Sequence, residues 1–206
     1  MSRLGYVIVT ALLAELFAGL FVAVALLAPH PRLLWNATAS APIGLYRLTA
    51  VDRPGLGDMV AVMPPPNLAR FMAERRYLPL GVPLLKHLAA DPGARICRHG
   101  ARVTVDDRMV AIARTNDSHG RPLPVWRGCH VLGPRELFLL NTAPDSMDGR
   151  YFGPLPVNGL LGRATPMLTR DAPDAPLRWR GLTAPTGSPT PSKDVSYADR
   201  QLSVRW

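Results

Sequence analysis

The sequence predicts a mostly β domain that follows one N-terminal transmembrane helix. Residues 4–28 are apolar except for Thr10 and Glu15, and a run of this length can cross a bilayer as a helix. Beyond residue 33, short apolar runs alternate with glycine, proline and aspartate, which is typical of strands separated by turns. A chain of 206 residues is long enough for one ordinary domain with appendages.

The apolar segment admits two interpretations. A cleaved secretory signal has an apolar core of roughly 7–15 residues, and Ala23-Val24-Ala25 resembles a cleavage site. Because residues 4–28 are longer than such a core, we favour an uncleaved signal-anchor, with residues 1–3 as a short cytoplasmic end. A carboxylate near the middle of a membrane span is costly, so Glu15 is expected to face another helix and not lipid.

The charge balance points to a membrane surface more than to nucleic acid. Lys and Arg number 24 against 15 Asp and Glu, a net charge of +9, and only Lys86 and Lys193 are lysines. The arginines are scattered, and no zinc-finger, basic-zipper or RNA-binding signature is present, so no nucleic-acid partner is expected. The charge fits contact with anionic lipid. No cofactor and no metal are predicted.

The remaining elements follow from local patterns. The domain is expected to span residues 33–170, and residues 171–206, rich in proline, serine, threonine and aspartate, are predicted to form a disordered tail. Thr115 to Pro124 is a polar loop. The predicted elements are strands Met59–Val62, Val82–Ala89 and Glu136–Asn141, a helix Asn67–Arg76 capped by Asn67, and a hairpin of Arg102–Asp106 and Met109–Ala113.

A serine sits at the start of a stiff, tight segment. Pro42 fixes its own φ and biases Ala41 toward extended geometry, and Gly44 permits backbone shapes that other residues resist. Such a segment can hold the hydroxyl of Ser40 outward, although an ordinary loop serine has the same pattern. A serine is a weak nucleophile without an adjacent base, so a catalytic interpretation requires a base elsewhere in the chain.

Lys86 is the candidate base. In a strand, Leu84, Lys86 and Leu88 share one face. Burial among leucines disfavours the ammonium form and lowers the pKa of a lysine, which general-base chemistry requires. The alternative is an edge lysine whose amine reaches water. This chain otherwise uses arginine, which cannot be deprotonated in a protein, although Lys193 shows that lysine is not reserved for chemistry.

Cys97 and Cys129 are the only cysteines. Outside the cytoplasm they would most simply form a disulfide, which stabilises by roughly 3–4 kcal/mol on the chain-entropy model. Two free thiols are the first alternative. A metal site, with His99 and His130 as further ligands, is the second.

A polar loop follows the strand that ends at Asn141. Within it, Asp148 and Arg150 can form an ion pair, and Ser146 can bind a neighbouring amine by a hydrogen bond. From chemistry alone this is a polar loop between strands.

Three segments stand out together: Ser40–Tyr46, Leu84–Gly93, and Ser146–Gly153 with Gly162–Ala164. They resemble the membrane-bound signal peptidase family that uses a Ser-Lys dyad, and most closely its conjugal-transfer branch, the TraF-type peptidases. Each segment alone is weak evidence, but their order, their spacing and the preceding membrane segment together strengthen the resemblance, which covers roughly residues 5–168. General leader peptidases place their proline one position further from the serine, so Ser-Ala-Pro favours the transfer branch.

This resemblance implies a signal-peptidase-like catalytic domain on the periplasmic face of the inner membrane. Ser40 would be the nucleophile and Lys86 the base, with the Thr38 hydroxyl helping the Ser40 N–H to hold the oxyanion. Ser146 would orient Lys86, while Asp148 and Arg150 would brace the site.

The implied substrate is the precursor of a conjugative pilin, cut after small residues, and some members join the new ends into a ring. Other proteins of the transfer system are further expected partners, beside membrane lipid. A general signal peptidase that removes secretory leaders is the rival enzyme. An inert, anchored component of a secretion channel is the rival from another class.

Overall fold

The computed structural model describes residues 2–27 and 33–182, which form two units, Met1–Arg32 and Leu33–Trp206. In the first unit, helix α1 spans Arg3–Leu27 and is long and apolar enough to cross a membrane. Helix α1 begins one residue before the predicted segment 4–28 and ends one residue before that segment's end. Glu15 lies on an exposed part of this helix, so its expected helical partner stays a prediction.

The second unit is built on an antiparallel sheet of eight strands. Along the chain these strands are β1 (Leu33–Asn36), β2 (Ile43–Thr49), β3 (Met59–Val62), β4 (Leu84–Ala90), β9 (Glu136–Leu140), β10 (Leu155–Pro156), β11 (Leu160–Arg170) and β12 (Arg178–Trp179). Their order is β1-β2-β11-β3-β4-β9-β10, and β12 pairs with the end of β11. The central strand β11 therefore bonds β3 with its first half, β12 with its second half, and β2 along most of its length.

A second antiparallel sheet of four strands is inserted between β4 and β9. Its order is β7-β6-β5-β8, with strands β5 (Arg95–His99), β6 (Arg102–Val105), β7 (Arg108–Ile112) and β8 (Gly128–Val131). Two short helices complete the unit, α2 (Pro66–Glu74) and α3 (Gly149–Phe152), together with a 3-10 turn at Val157–Gly159. The predicted mostly β fold is confirmed.

Alternation along the strands divides the apolar side chains between the two faces of the large sheet. Leu84 and Leu88 pack on the α2 side with Val60, while Leu85 packs on the opposite side with Tyr46. A third cluster fills the space beneath the small sheet and includes Ile96, Val103, Leu132 and Phe138. Lys86 shares its face with Leu84 and Leu88, so the fold carries it into an apolar layer, as the period-two pattern indicates.

Two local predictions were wrong. Helix α2 starts one residue before Asn67, with Pro65 as N-cap residue and no side-chain cap bond, because the preceding prolines already preset the helical entry. The expected disorder from residue 171 onward does not hold at Arg178–Trp179, which pairs with β11. Arg180 reinforces this pairing by binding Asp171 at 2.8 Å. The part of the predicted tail from 183 to 206 lies outside the described residues.

Candidate active site

The loop that carries Ser40 joins β1 to β2 and is held by buried side chains. Asn36, the last residue of β1, donates from Nδ2 to the carbonyl oxygens of Thr38 at 2.9 Å and of Ala41 and Pro42 at 3.1 Å each. Its Oδ1 accepts from the Thr38 N–H at 3.1 Å. From β2, the Tyr46 hydroxyl donates to the Pro42 carbonyl at 2.6 Å. The loop is thus fixed by three carbonyls bound to one amide, and not by the rigidity of proline alone.

Lys86 lies in the middle of β4, opposite Val60 of β3, and only 3% of its surface is exposed. Its Nζ lies 3.4 Å from the Ser40 Oγ and donates to the Ser146 Oγ at 2.7 Å. The alternative of an edge lysine that reaches water is therefore wrong, because β4 lies between β3 and β9 in the sheet and the Lys86 side chain is buried.

Burial lowers the pKa of Lys86 to about 8, while the nearby carboxylate of Asp148 partly opposes this effect and Arg150 reinforces it. At pH 7 a lysine with this pKa is about 10% neutral, against roughly 0.03% at the ordinary value. A neutral amine 3.4 Å from a hydroxyl can accept its proton as the oxygen attacks a carbonyl carbon.

The loop after β9 supplies the second partner of Lys86 and the frame that holds it. Ser146 is 2% exposed, and the ion pair of Asp148 and Arg150 is fully buried, with Nε 2.8 Å from Oδ1. Asp148 also caps helix α3 by accepting from the Arg150 N–H at 3.1 Å. A Cβ added at Gly149 would lie 2.8 Å from the Leu139 carbonyl, so only glycine fits where this turn passes β9.

The small sheet holds the same turn from outside. From β5, Arg98 is buried and donates from Nη1 to the Arg150 carbonyl at 2.6 Å. The Trp126 indole donates to the Gly149 carbonyl at 3.0 Å. The carbonyls of Gly149 and Arg150 are therefore both bound, which holds in place the turn that carries Asp148.

A cavity of about 800 Å³ opens over this cluster. Ser40, Lys86 and Ser146 line it together with the C-terminal end of α2, the start of β4 and the loop around Asp117. That loop is tied to the turn after α2 by Arg121, which binds Asp117 at 2.7 Å and the Arg75 carbonyl at 3.1 Å.

Cys97 and Cys129 form a disulfide between β5 and β8, which confirms the predicted pairing. The alternative of two free thiols is wrong. His99 lies beside the bond, with Nε2 3.7 Å from the Cys129 Sγ. Because both sulfurs are bonded to each other, neither thiolate remains to join His99 in binding a metal ion.

Comparison with known proteins assigns the chain to a family. A family model described as "Signal peptidase, peptidase S26" matches residues 2–168. The chain belongs to this family. A solved signal peptidase I from Enterococcus faecalis V583 matches the chain with 17% sequence identity and a TM-score of 0.33, over 55% of this chain and 98% of that one.

Curated relatives carry names from conjugation. "Conjugal transfer protein TraF" of Agrobacterium fabrum is 39% identical over 148 residues, which are 66% of this chain and 82% of the relative. "Probable conjugal transfer protein TraF" of Sinorhizobium fredii is 37% identical, covering 65% and 76%. "Plasmid transfer protein TraF" of Escherichia coli is 30% identical, covering 65% and 81%. The chain is therefore of the TraF type within the signal peptidase family.

The structure brings all the predicted site residues together. Ser40, Lys86 and Ser146 are joined by hydrogen bonds, and the ion pair lies directly behind them. Thr38 is near, with Oγ1 3.3 Å from the Ser40 Oγ, but its hydroxyl donates to the Asn36 Oδ1 at 2.8 Å. It would have to rotate to reach an oxyanion, so that role stays a prediction.

Sequence reasoning missed the residues that hold the loops by side-chain bonds to backbone carbonyls. They are Asn36, Tyr46, Arg98 and Asn141. One signal was available: Asn36 and Asn141 stand at or directly after the end of an apolar strand, and an asparagine buried at such a place must find partners for its amide.

Proposed function

We propose that this chain is a membrane-anchored serine endopeptidase with a Ser40–Lys86 dyad, and that it processes the pilin precursor of a conjugative type IV secretion system. The observation that carries the proposal is the buried amine of Lys86, set 3.4 Å from the Ser40 Oγ and 2.7 Å from the Ser146 Oγ. A buried lysine in this setting costs stability, so its presence favours a chemical role.

The first half of the proposed reaction is acylation of Ser40. The Ser40 Oγ attacks the scissile carbonyl while neutral Lys86 accepts the hydroxyl proton, and the carbonyl oxygen becomes an oxyanion held by the Ser40 N–H. Lys86 then gives the proton to the leaving amine as the peptide bond breaks. Ser146 accepts a hydrogen bond from Nζ throughout, which keeps the amine directed at Ser40.

The second half releases the product. Water attacks the acyl carbonyl, Lys86 accepts its proton, and the proton passes to the Ser40 oxygen as the ester breaks. If the attacking group is the amine at the other end of the same polypeptide, the ester is exchanged for a peptide bond and the product is a ring. Both outcomes use the same groups, so the geometry supports cleavage and ring closure equally.

The substrate and location are proposed from the relatives and the chain's own features. The names of the TraF relatives favour a substrate within the conjugation machinery over general secretory leaders. Helix α1 provides the membrane anchor. The disulfide favours an oxidising compartment, which for a chain anchored in the inner membrane is the periplasm.

The test is mass spectrometry of the candidate pilin expressed with this protein. Wild-type protein should convert the precursor to a shorter species, linear or lighter by one further water if cyclic. Ser40→Ala and Lys86→Ala should leave the precursor intact, while the matched control Lys193→Ala, the only other lysine, should process normally. Normal processing by both dyad variants would favour an inert scaffold, and cleavage of a secretory leader in place of the pilin would favour a general signal peptidase.

A further inference from the structure

Asn141 joins the two parts of the dyad through their backbones. Its Nδ2 donates to the Ser40 carbonyl at 2.7 Å and to the Leu85 carbonyl, which directly precedes Lys86, at 3.1 Å. Through one amide group, the loop that carries Ser40 is therefore tied to the strand that carries Lys86. Among the bonds that the structure describes, no other side chain donates to the backbones of both segments.

Asn141 is itself held by the buried ion pair. Its backbone N–H donates to the Asp148 Oδ2 at 3.0 Å, and its carbonyl accepts from the Arg150 Nη2 at 2.6 Å. These bonds fix the backbone of Asn141, and the residue is only 1% exposed, so its side chain is enclosed by protein. The ion pair thus acts on the dyad by fixing Asn141 as well as by fixing Ser146.

The amide has one unpaired atom. Asn141 Oδ1 is buried and has no hydrogen-bond partner among the residues that the structure describes. A buried acceptor without a partner is unfavourable, and the opposite orientation of the amide would be worse, because it would place Oδ1 against two carbonyl oxygens. Asn141 therefore serves the structure through its two donor bonds.

Leu140 pairs with His87 in antiparallel register, so Asn141, the next residue, lies opposite Lys86 on the neighbouring segment. We infer that Asn141 is a positioning residue that sets the distance between Ser40 and Lys86 and keeps water from the lysine side chain. It does not line the cavity over the dyad, so it has no direct contact with a substrate placed there. This inference rests on the proposed function where it concerns turnover, and on geometry alone where it concerns the state of Lys86.

Two variants separate this role from general stabilisation. Asn141→Ala removes both donors and leaves space for water beside Lys86. Asn141→Asp keeps the shape but replaces the donors with carboxylate oxygens that face two carbonyls and add a negative charge near the amine. The control is Asn67→Ala, because Asn67 is exposed on α2 and its side chain bonds only Arg70.

The first measurement needs no substrate. The chain contains only two lysines, so protein labelled with ¹⁵N at lysine Nζ and held in detergent micelles gives two side-chain signals to titrate. We expect the pKa of Lys86 to rise in both variants, more in Asn141→Asp than in Asn141→Ala, with no change in Asn67→Ala. A Lys86 pKa identical to wild type in folded Asn141→Ala and Asn141→Asp would overturn the inference.

The second measurement is turnover of the pilin precursor as a function of pH. We expect kcat to fall at least tenfold in Asn141→Ala with KM within about twofold, and the pH at half-maximal rate to rise with the Lys86 pKa. An unchanged kcat, or a loss confined to KM, would also overturn it. If wild type and Ser40→Ala are equally inactive, the proposed function fails, and the lysine titration still decides the role of Asn141.

Discussion

Replacing Lys86 with methionine should make the folded domain more stable while it abolishes the proposed chemistry. Methionine has nearly the same length and no charge to desolvate. In the folded protein the pKa of Lys86 falls from 10.5 to about 8, so its protonated form is disfavoured by the fold. At about 1.36 kcal/mol for each pKa unit, the charged lysine costs about 3 kcal/mol at pH 7.

The sign of the pH dependence follows from proton counts. Between pH 8 and 10.5 the unfolded wild type holds the Lys86 proton and the folded wild type has lost it. The free energy of unfolding of wild type therefore rises with pH in this window, by up to about 1.4 kcal/mol per pH unit. Below pH 8 it is lowered by the full cost of the charged lysine, about 3 kcal/mol. Lys86→Met lacks this contribution at every pH.

The assay is denaturant unfolding in detergent micelles, followed by tryptophan fluorescence, for wild type, Lys86→Met and the control Lys193→Met. The stability difference between Lys86→Met and wild type should shrink by about 2–3 kcal/mol from pH 7 to pH 10. A constant offset from the lost bond to Ser146 does not alter this change. Parallel curves for Lys86→Met and wild type over this range would refute a depressed lysine pKa.

Three further perturbations test the frame around the dyad. Ser146→Ala removes the acceptor 2.7 Å from the Lys86 Nζ and should lower kcat/KM for pilin cleavage about 10–100-fold, measured by mass spectrometry; an undiminished rate would contradict an orienting role. Arg150→Ala leaves Asp148 buried without its partner and should lower the free energy of unfolding by about 3–5 kcal/mol, whereas a loss below 1 kcal/mol would show that the pair is not needed. The double variant Cys97→Ser, Cys129→Ser should lower the free energy of unfolding by about 3–4 kcal/mol in the same assay, and wild type in reductant should show the same loss. An unchanged free energy of unfolding in both would show that the disulfide is dispensable.

Local patterns predicted the elements whose geometry depends on short stretches of chain. The alternation around Lys86 correctly placed it among leucines, and the apolar run 4–28 correctly gave α1. The start of α2 was predicted wrongly, because Asn67 was expected to cap the helix and the preceding prolines make a side-chain cap unnecessary. The pairing of β12 with β11 could not be foreseen, because two residues carry no periodicity of their own.

The site was predicted where residues act through their own chemistry and missed where they act through another segment's backbone. Lys86 was singled out because an amine among leucines is chemically distinctive, whereas the role of Ser146 came from the resemblance to signal peptidases. Asn141 was counted as the end of a strand, since its partners, the carbonyls of Ser40 and Leu85, lie 101 and 56 positions away. No spacing along the chain encodes a contact between a side chain and the backbone of a distant segment.

The position of β11 has a consequence for when the site can form. Strand β2, which follows the Ser40 loop, is bonded on one side to the four-residue β1 and on the other to β11, whose Arg170 pairs with Ile43. Because such distant pairing requires closure of a long loop, it forms slowly and only once the last long strand has been synthesised. A nascent or truncated chain that ends before residue 160 would carry the serine, the lysine and the ion pair, yet lack the strand that fastens the serine's segment to the lysine's. The order of synthesis thereby delays assembly of the dyad until the domain is complete.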